Sequence, residues 1–89
     1  MIQVNLTIQN KLGLHARASA KLSDLANRYQ SEIYLIHKQR KTDAKSILGV
    51  MTIGATLGHE IILEASGTDE SEAVNAIQAL FNDRFGESE

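Results

Sequence analysis

Ile2, Val4, Leu6 and Ile8 alternate with Gln3, Asn5 and Thr7, a period of two that predicts a strand with one buried face. Asn10-Lys11-Leu12-Gly13 breaks the alternation. Beyond it the period lengthens, and Ala18, Leu22, Leu25, Ala26 and Tyr29 fall on one helical face. A helix is expected from Ala16 to about Asn27 or Arg28. Glu32 to His37 is a β-branched and aromatic run and reads as a second strand. A polar turn near Lys38-Gln39 returns the chain as a short third strand around Arg40 to Asp43.

Ser46 is a good N-cap residue, so Ser46 to Met51 reads as a short helix with Ile47, Val50 and Met51 inward. Gly54 and Gly58 punctuate a loop, and Glu60 to Ala65 is the fourth expected strand. Asp69, with Glu72 three residues on, resembles a capping box for a last helix whose stripe is Ala73, Val74, Ile77, Leu80 and Phe81. The order is β-α-β-β-α-β-α, an α+β chain. One helical layer over one antiparallel sheet buries these single-faced elements most economically. Strand order does not follow from periodicity.

The chain has 89 residues, which allows one domain over residues 1–89 that buries roughly 60–65% of its unfolded surface. Nine Lys and Arg against eleven Asp and Glu give a net charge of −2. That balance lacks the basic footprint of a nucleic-acid binder, and none is expected as a partner. The absence of cysteine excludes disulfides, thiolate metal sites and a cysteine nucleophile. No apolar run is long enough to span a bilayer, and the first five residues lack the basic start and apolar stretch of a signal peptide. A cytoplasmic protein without membrane contact is expected. The acidic tail Gly86-Glu87-Ser88-Glu89 is expected to fray.

The segment richest in chemistry is Gly13-Leu14-His15-Ala16-Arg17, where a loop enters the first helix. First-turn N–H groups have no intrahelical partner, and the helix dipole adds partial positive charge there. Such a place welcomes an anion attached to, or beside, the ring of His15. Arg17 offers a cationic fork for the same anion, and Gly13 permits a tight turn. Two readings stand on these residues. One is an anion or phosphoryl site with His15 as base or nucleophile. The other is a surface histidine beside an arginine that solvates the helix start.

The same five residues, at this distance from the N-terminus, resemble the active-site motif of the HPr family, the histidine-containing phosphocarriers of the phosphoenolpyruvate-dependent phosphotransferase system. Lys45-Ser46-Ile47-Leu48-Gly49-Val50-Met51 resembles that family's regulatory serine segment. The resemblance covers nearly the whole chain and implies the family's open-faced sandwich, with three helices on one face of a four-stranded sheet. It implies that His15 accepts a phosphoryl group on Nδ1 from phosphorylated enzyme I and passes it to an enzyme IIA domain. Arg17 and the backbone N–H groups of Ala16 and Arg17 would hold the phosphoryl oxygens. Ser46 would be phosphorylated by HPr kinase/phosphorylase. No cofactor or metal is implied, the chain is a carrier with no turnover of its own, and a monomer is expected. The family usually carries proline after this arginine; here the residue is Ala18. That departure supports an alternative, a regulatory protein-binding module that kept the fold and lost phosphotransfer.

Asn10-Lys11-Leu12-Gly13 and Ala79-Leu80-Phe81-Asn82 resemble the nitrogen-related (NPr) branch, whereas the Ser46 segment resembles sugar-pathway members under kinase control. Ser19 reads as incidental. His37 and His59 have no second ligand at metal spacing and read as structural or exposed. Lys38, Arg40, Lys41 and Lys45 read as a solvated hairpin. Leu14, Ile47, Leu48 and Met51 read as core, or as an apolar docking patch if exposed around His15.

Overall fold

Alternation along the first segment puts Leu6 and Ile8 inward while Gln3, Asn5 and Thr7 stay exposed, so a helical layer is needed on one side of the sheet only. The computed structural model, which describes residues 1–89, supplies it. The elements are β1 (Ile2–Thr7), α1 (Ala16–Ala26), β2 (Glu32–His37), β3 (Arg40–Asp43), α2 (Ile47–Met51), β4 (Glu60–Ser66) and α3 (Glu70–Asn82). A short left-handed turn, Arg84–Gly86, follows α3.

The sheet order is β1-β4-β2-β3, with every neighbouring pair antiparallel. The last strand thus lies between the first two. Val4 faces Leu63 across β1 and β4, and Leu35 faces Leu63 across β2 and β4. Leu63, Leu35, Ile33, Ile61 and Ala65 are buried under Leu22, Ala26, Ile77 and Phe81 of the two long helices. The opposite face carries Gln3, Tyr34, Lys41 and Glu64. There Lys41 pairs with Glu64 at 2.9 Å and lies 4.4 Å above the Tyr34 ring.

Three local expectations need correction. In α2 only Val50 is buried, while Ile47 and Met51 are exposed. A helix of five residues makes little more than one turn and has one inward position. Asp69 stands at the N-cap of α3 but makes no side-chain cap. Its carboxylate turns instead to the N–H groups of Gln30 and Ser31. The basic hairpin is tied down more than a solvated one would be: Arg40 donates to the Thr52 carbonyl at 2.7 Å, and Lys45 to the Tyr29 carbonyl at 2.8 Å.

Candidate functional site

Gly13 aims the loop that carries His15. Its φ of +64° lies in the left-handed region, and a Cβ there would come within 2.8 Å of the Ala55 carbonyl oxygen. Only glycine admits both the turn and the close approach. Leu14 then donates its N–H to that same carbonyl and buries its side chain. The buried Ser19 hydroxyl donates to the Leu14 carbonyl at 3.0 Å, clamping the loop from the first turn of α1. Ser19, which reads as incidental in sequence, is therefore part of the support of His15.

His15 is the N-cap residue of α1, with extended backbone and no side-chain capping bond. The helix begins its ladder with the Ser19 N–H donating to the His15 carbonyl at 2.8 Å. The N–H groups of Ala16, Arg17 and Ala18 therefore have no intrahelical partner. They stand beside a ring whose side chain is 26% exposed. Arg17 lines the same open cleft, as do Lys11, Lys21 and Leu12. Glu87 and Glu89 line it too, with Lys11 paired to Glu89 at 3.6 Å, so the unpaired N–H groups at the helix N-terminus and Arg17 are what could receive an anion beside the ring. Ala18, where the family's usual proline is missing, is fully buried and continues the helix.

The tail completes the cleft, contrary to the fraying expected of it. Glu87 reaches the Nε2 of His15 with one carboxylate oxygen and accepts Asn10 Nδ2–H at 3.0 Å with the other. Hydrogen bonds from Asn10 and then His15, with the charge of Arg17 adding less, hold the Glu87 carboxyl below the usual carboxylate range. The docking has a cause within the chain. Phe85 is buried against Phe81, with ring centres 4.9 Å apart, and this anchors the chain just before the tail. An aromatic residue a few positions from the acidic end was the one signal in the sequence for this.

Ser46 lies elsewhere, at the N-cap of α2, where its Oγ accepts the Gly49 N–H at 3.0 Å. Beside it Ile47, Leu48 and Met51 are exposed; Leu48 is 74% exposed. Leu14 is core, and the apolar residue that lines the His15 cleft is Leu12, while the exposed residues of α2, which packs on α1, do not line it. His37 is buried and stacked on His59 at 5.0 Å, and His59 accepts the Thr56 N–H. Both serve the loop that leads into β4.

Known proteins share this fold and much of this sequence. The family model for the PTS HPr component phosphorylation site matches residues 2–83. The chain is 52% identical over 89 residues to the phosphocarrier protein HPr of Cupriavidus necator, covering 100% of both. It is 39% identical over 87 residues to the phosphocarrier protein NPr of Shewanella violacea, covering 98% of this chain and 96% of that one. The crystal structure of HPr-C-His from Thermoanaerobacter tengcongensis superposes with a TM-score of 0.96 over 100% of both chains, at 39% identity.

Proposed function

Because the chain belongs to the HPr family and is a phosphocarrier of the phosphotransferase system, we propose that His15 is its phosphoryl acceptor, loaded by phosphorylated enzyme I and unloaded to an enzyme IIA domain. The observation that carries this reading is the placement of an accessible imidazole at the N-terminus of α1, with Arg17 in the same cleft.

A neutral imidazole near pH 7 has one nitrogen lone pair and is a good nucleophile. Nδ1 attacks phosphorus, the Nδ1–P bond forms, and the donor's bond to phosphorus breaks with its electron pair left on the donor. The three phosphoryl oxygens carry the charge through the transition state. Arg17 and the backbone N–H groups of Ala16 and Arg17 stabilise it there. Transfer onward to the acceptor is the same step reversed onto a new nucleophile, so no catalytic turnover belongs to this chain.

The carrier acts as a monomer in the cytoplasm. The higher identity to the HPr of Cupriavidus necator than to the NPr of Shewanella violacea supports the general HPr branch. Ser46 is the regulatory position and the target of HPr kinase/phosphorylase. Its support is a partly exposed hydroxyl amid an apolar exposed surface. Incubation with phosphoenolpyruvate and enzyme I, followed by intact mass measurement, tests the central claim. One acid-labile phosphoryl group is expected, absent from His15→Ala. An unmodified wild-type chain, beside an enzyme I that loads another carrier, would leave a binding module that has lost phosphotransfer.

A further inference from the structure

The chain spends an unusual backbone on bringing one carboxylate to His15. Arg84, Phe85 and Gly86 take φ of 55°, 55° and 77°, three successive left-handed residues. Two of them are not glycine, a conformation that holds only where the surroundings over-determine it. Here they do. The Phe85 side chain is buried, and its carbonyl accepts Lys21 Nζ–H at 2.6 Å. Farther on, the Lys11 N–H donates to the Glu89 carbonyl at 3.0 Å. The segment between these anchors places Glu87 against the ring.

A carboxylate can only accept hydrogen bonds. Asn10 Nδ2, which also donates to the Gly13 carbonyl at 2.8 Å, fixes one Glu87 oxygen, so the other meets His15 Nε2 as an acceptor. Nε2 must then carry the ring proton. Nδ1, which no group of the chain engages, keeps its lone pair.

Resting on the phosphocarrier reading, we propose that Glu87 is a positioning residue for the transfer. Its carboxylate holds the His15 ring in the Nε2–H tautomer, so that Nδ1 presents its lone pair to the phosphoryl group. When the Nδ1–P bond forms, the ring keeps its Nε2 proton and gains a positive charge, which the same carboxylate faces. No proton has to leave in that step. Asn10 acts through Glu87, and the tail from Phe85 onward is the device that holds them together.

The test uses the full chain with ¹⁵N-labelled imidazoles, comparing wild type, Glu87→Ala and, as the control, Glu72→Ala, Glu72 being an exposed carboxylate of α3 outside the cleft. Long-range ¹H–¹⁵N spectra at a pH where the ring is neutral read the tautomer directly. Phosphorylation by enzyme I and phosphoenolpyruvate is timed on the same samples. Wild type and Glu72→Ala should show only the Nε2–H form of His15. Glu87→Ala should show the mixture of a free imidazole and take phosphoryl more slowly, on the order of tenfold, since one charge-assisted hydrogen bond is lost. Backbone amide shifts away from the cleft should coincide in all three. A wild-type tautomer or a wild-type rate in Glu87→Ala overturns the proposal. Failure of the parent reading looks different, because wild type itself would then take no phosphoryl group.

Discussion

The carboxylate of Asp69, at the start of α3, accepts the backbone N–H of Ser31 at 2.9 Å and that of Gln30 at 2.8 Å. Ser31 leads into β2, so a residue beside one helix fixes the start of a strand 38 positions earlier. The Ser31 hydroxyl, then the Gln30 N–H, are the main causes that hold the Asp69 carboxyl below its ordinary value of 3.8.

That shift has a consequence for stability. A group whose pKa is depressed on folding stabilises the fold at pH values above its unfolded pKa, and the contribution fades as pH falls through the folded one. Thermal unfolding followed from neutral pH to below about 3 should show melting temperature falling on the acid limb. Asp69→Asn should melt lower than wild type at neutral pH and lose less on acidification. Parallel curves for the two proteins would show that Asp69 has no part in the acid limb.

What could be read in advance follows from how local each determinant is. The strands were legible because a half-buried strand repeats every two residues, and β3 came out at Arg40–Asp43 as expected. Ser46 was legible because its partner, Gly49, is three residues away. Asp69 was misread for the opposite reason. Its sequence context offers a cap, but distant N–H donors left unpaired at the start of β2 compete for the same oxygens. Glu87 was invisible, since it meets His15 across 72 positions and only the burial of Phe85 brings the two together. Strand order was likewise out of reach, because alternation names a strand's faces and not its neighbours.

Gly13 allows the loop geometry to be tested apart from its chemistry. In Gly13→Ala the new Cβ meets the Ala55 carbonyl oxygen at 2.8 Å and Thr56 Cα at 2.9 Å, both backbone atoms. Left-handed strain of about 1–2 kcal/mol and overpacking of about 1–3 kcal/mol together predict a loss of about 2–5 kcal/mol. Gly58 has a φ of +87° with nothing within 4 Å of a built Cβ, so Gly58→Ala should cost only the strain, about 1–2 kcal/mol. Urea unfolding of both variants makes the comparison. Equal losses would mean that the contact with Ala55 does not constrain the His15 loop.

Arg17 is exposed and its guanidinium, in the same cleft as His15, makes no hydrogen bond or ion pair within the chain, so it is free for a ligand. Arg17→Lys should keep the fold and its melting temperature while slowing phosphorylation of His15, because a point charge lacks the planar fork. Loss of one charge-assisted hydrogen bond, about 1.5–3 kcal/mol, corresponds to about tenfold to a hundredfold in rate. Rapid-quench measurement of transfer from enzyme I reads it. Wild-type kinetics in the lysine variant would assign the work to the backbone N–H groups of Ala16 and Arg17 alone.

At Ser46 the helix cap and the regulatory switch make separable predictions. Aspartate is as good an N-cap as serine, and its charge meets unpaired N–H groups and the positive end of the helix dipole. Ser46→Asp should therefore melt at about the wild-type temperature, whereas Ser46→Ala loses the bond to the Gly49 N–H and about 0.5–2 kcal/mol of stability. Docking reverses the order. Ile47, Leu48 and Met51 are exposed beside residue 46, and a partner that covers them must desolvate any new charge there. If that partner surface is acidic, the aspartate also meets like charge, and association should weaken by about tenfold to a hundredfold. Ser46→Asp should thus load slowly from enzyme I at limiting carrier concentration, and Ser46→Ala should load at the wild-type rate despite its lower stability. Equal loading of all three would leave Ser46 as the cap of α2 and nothing more.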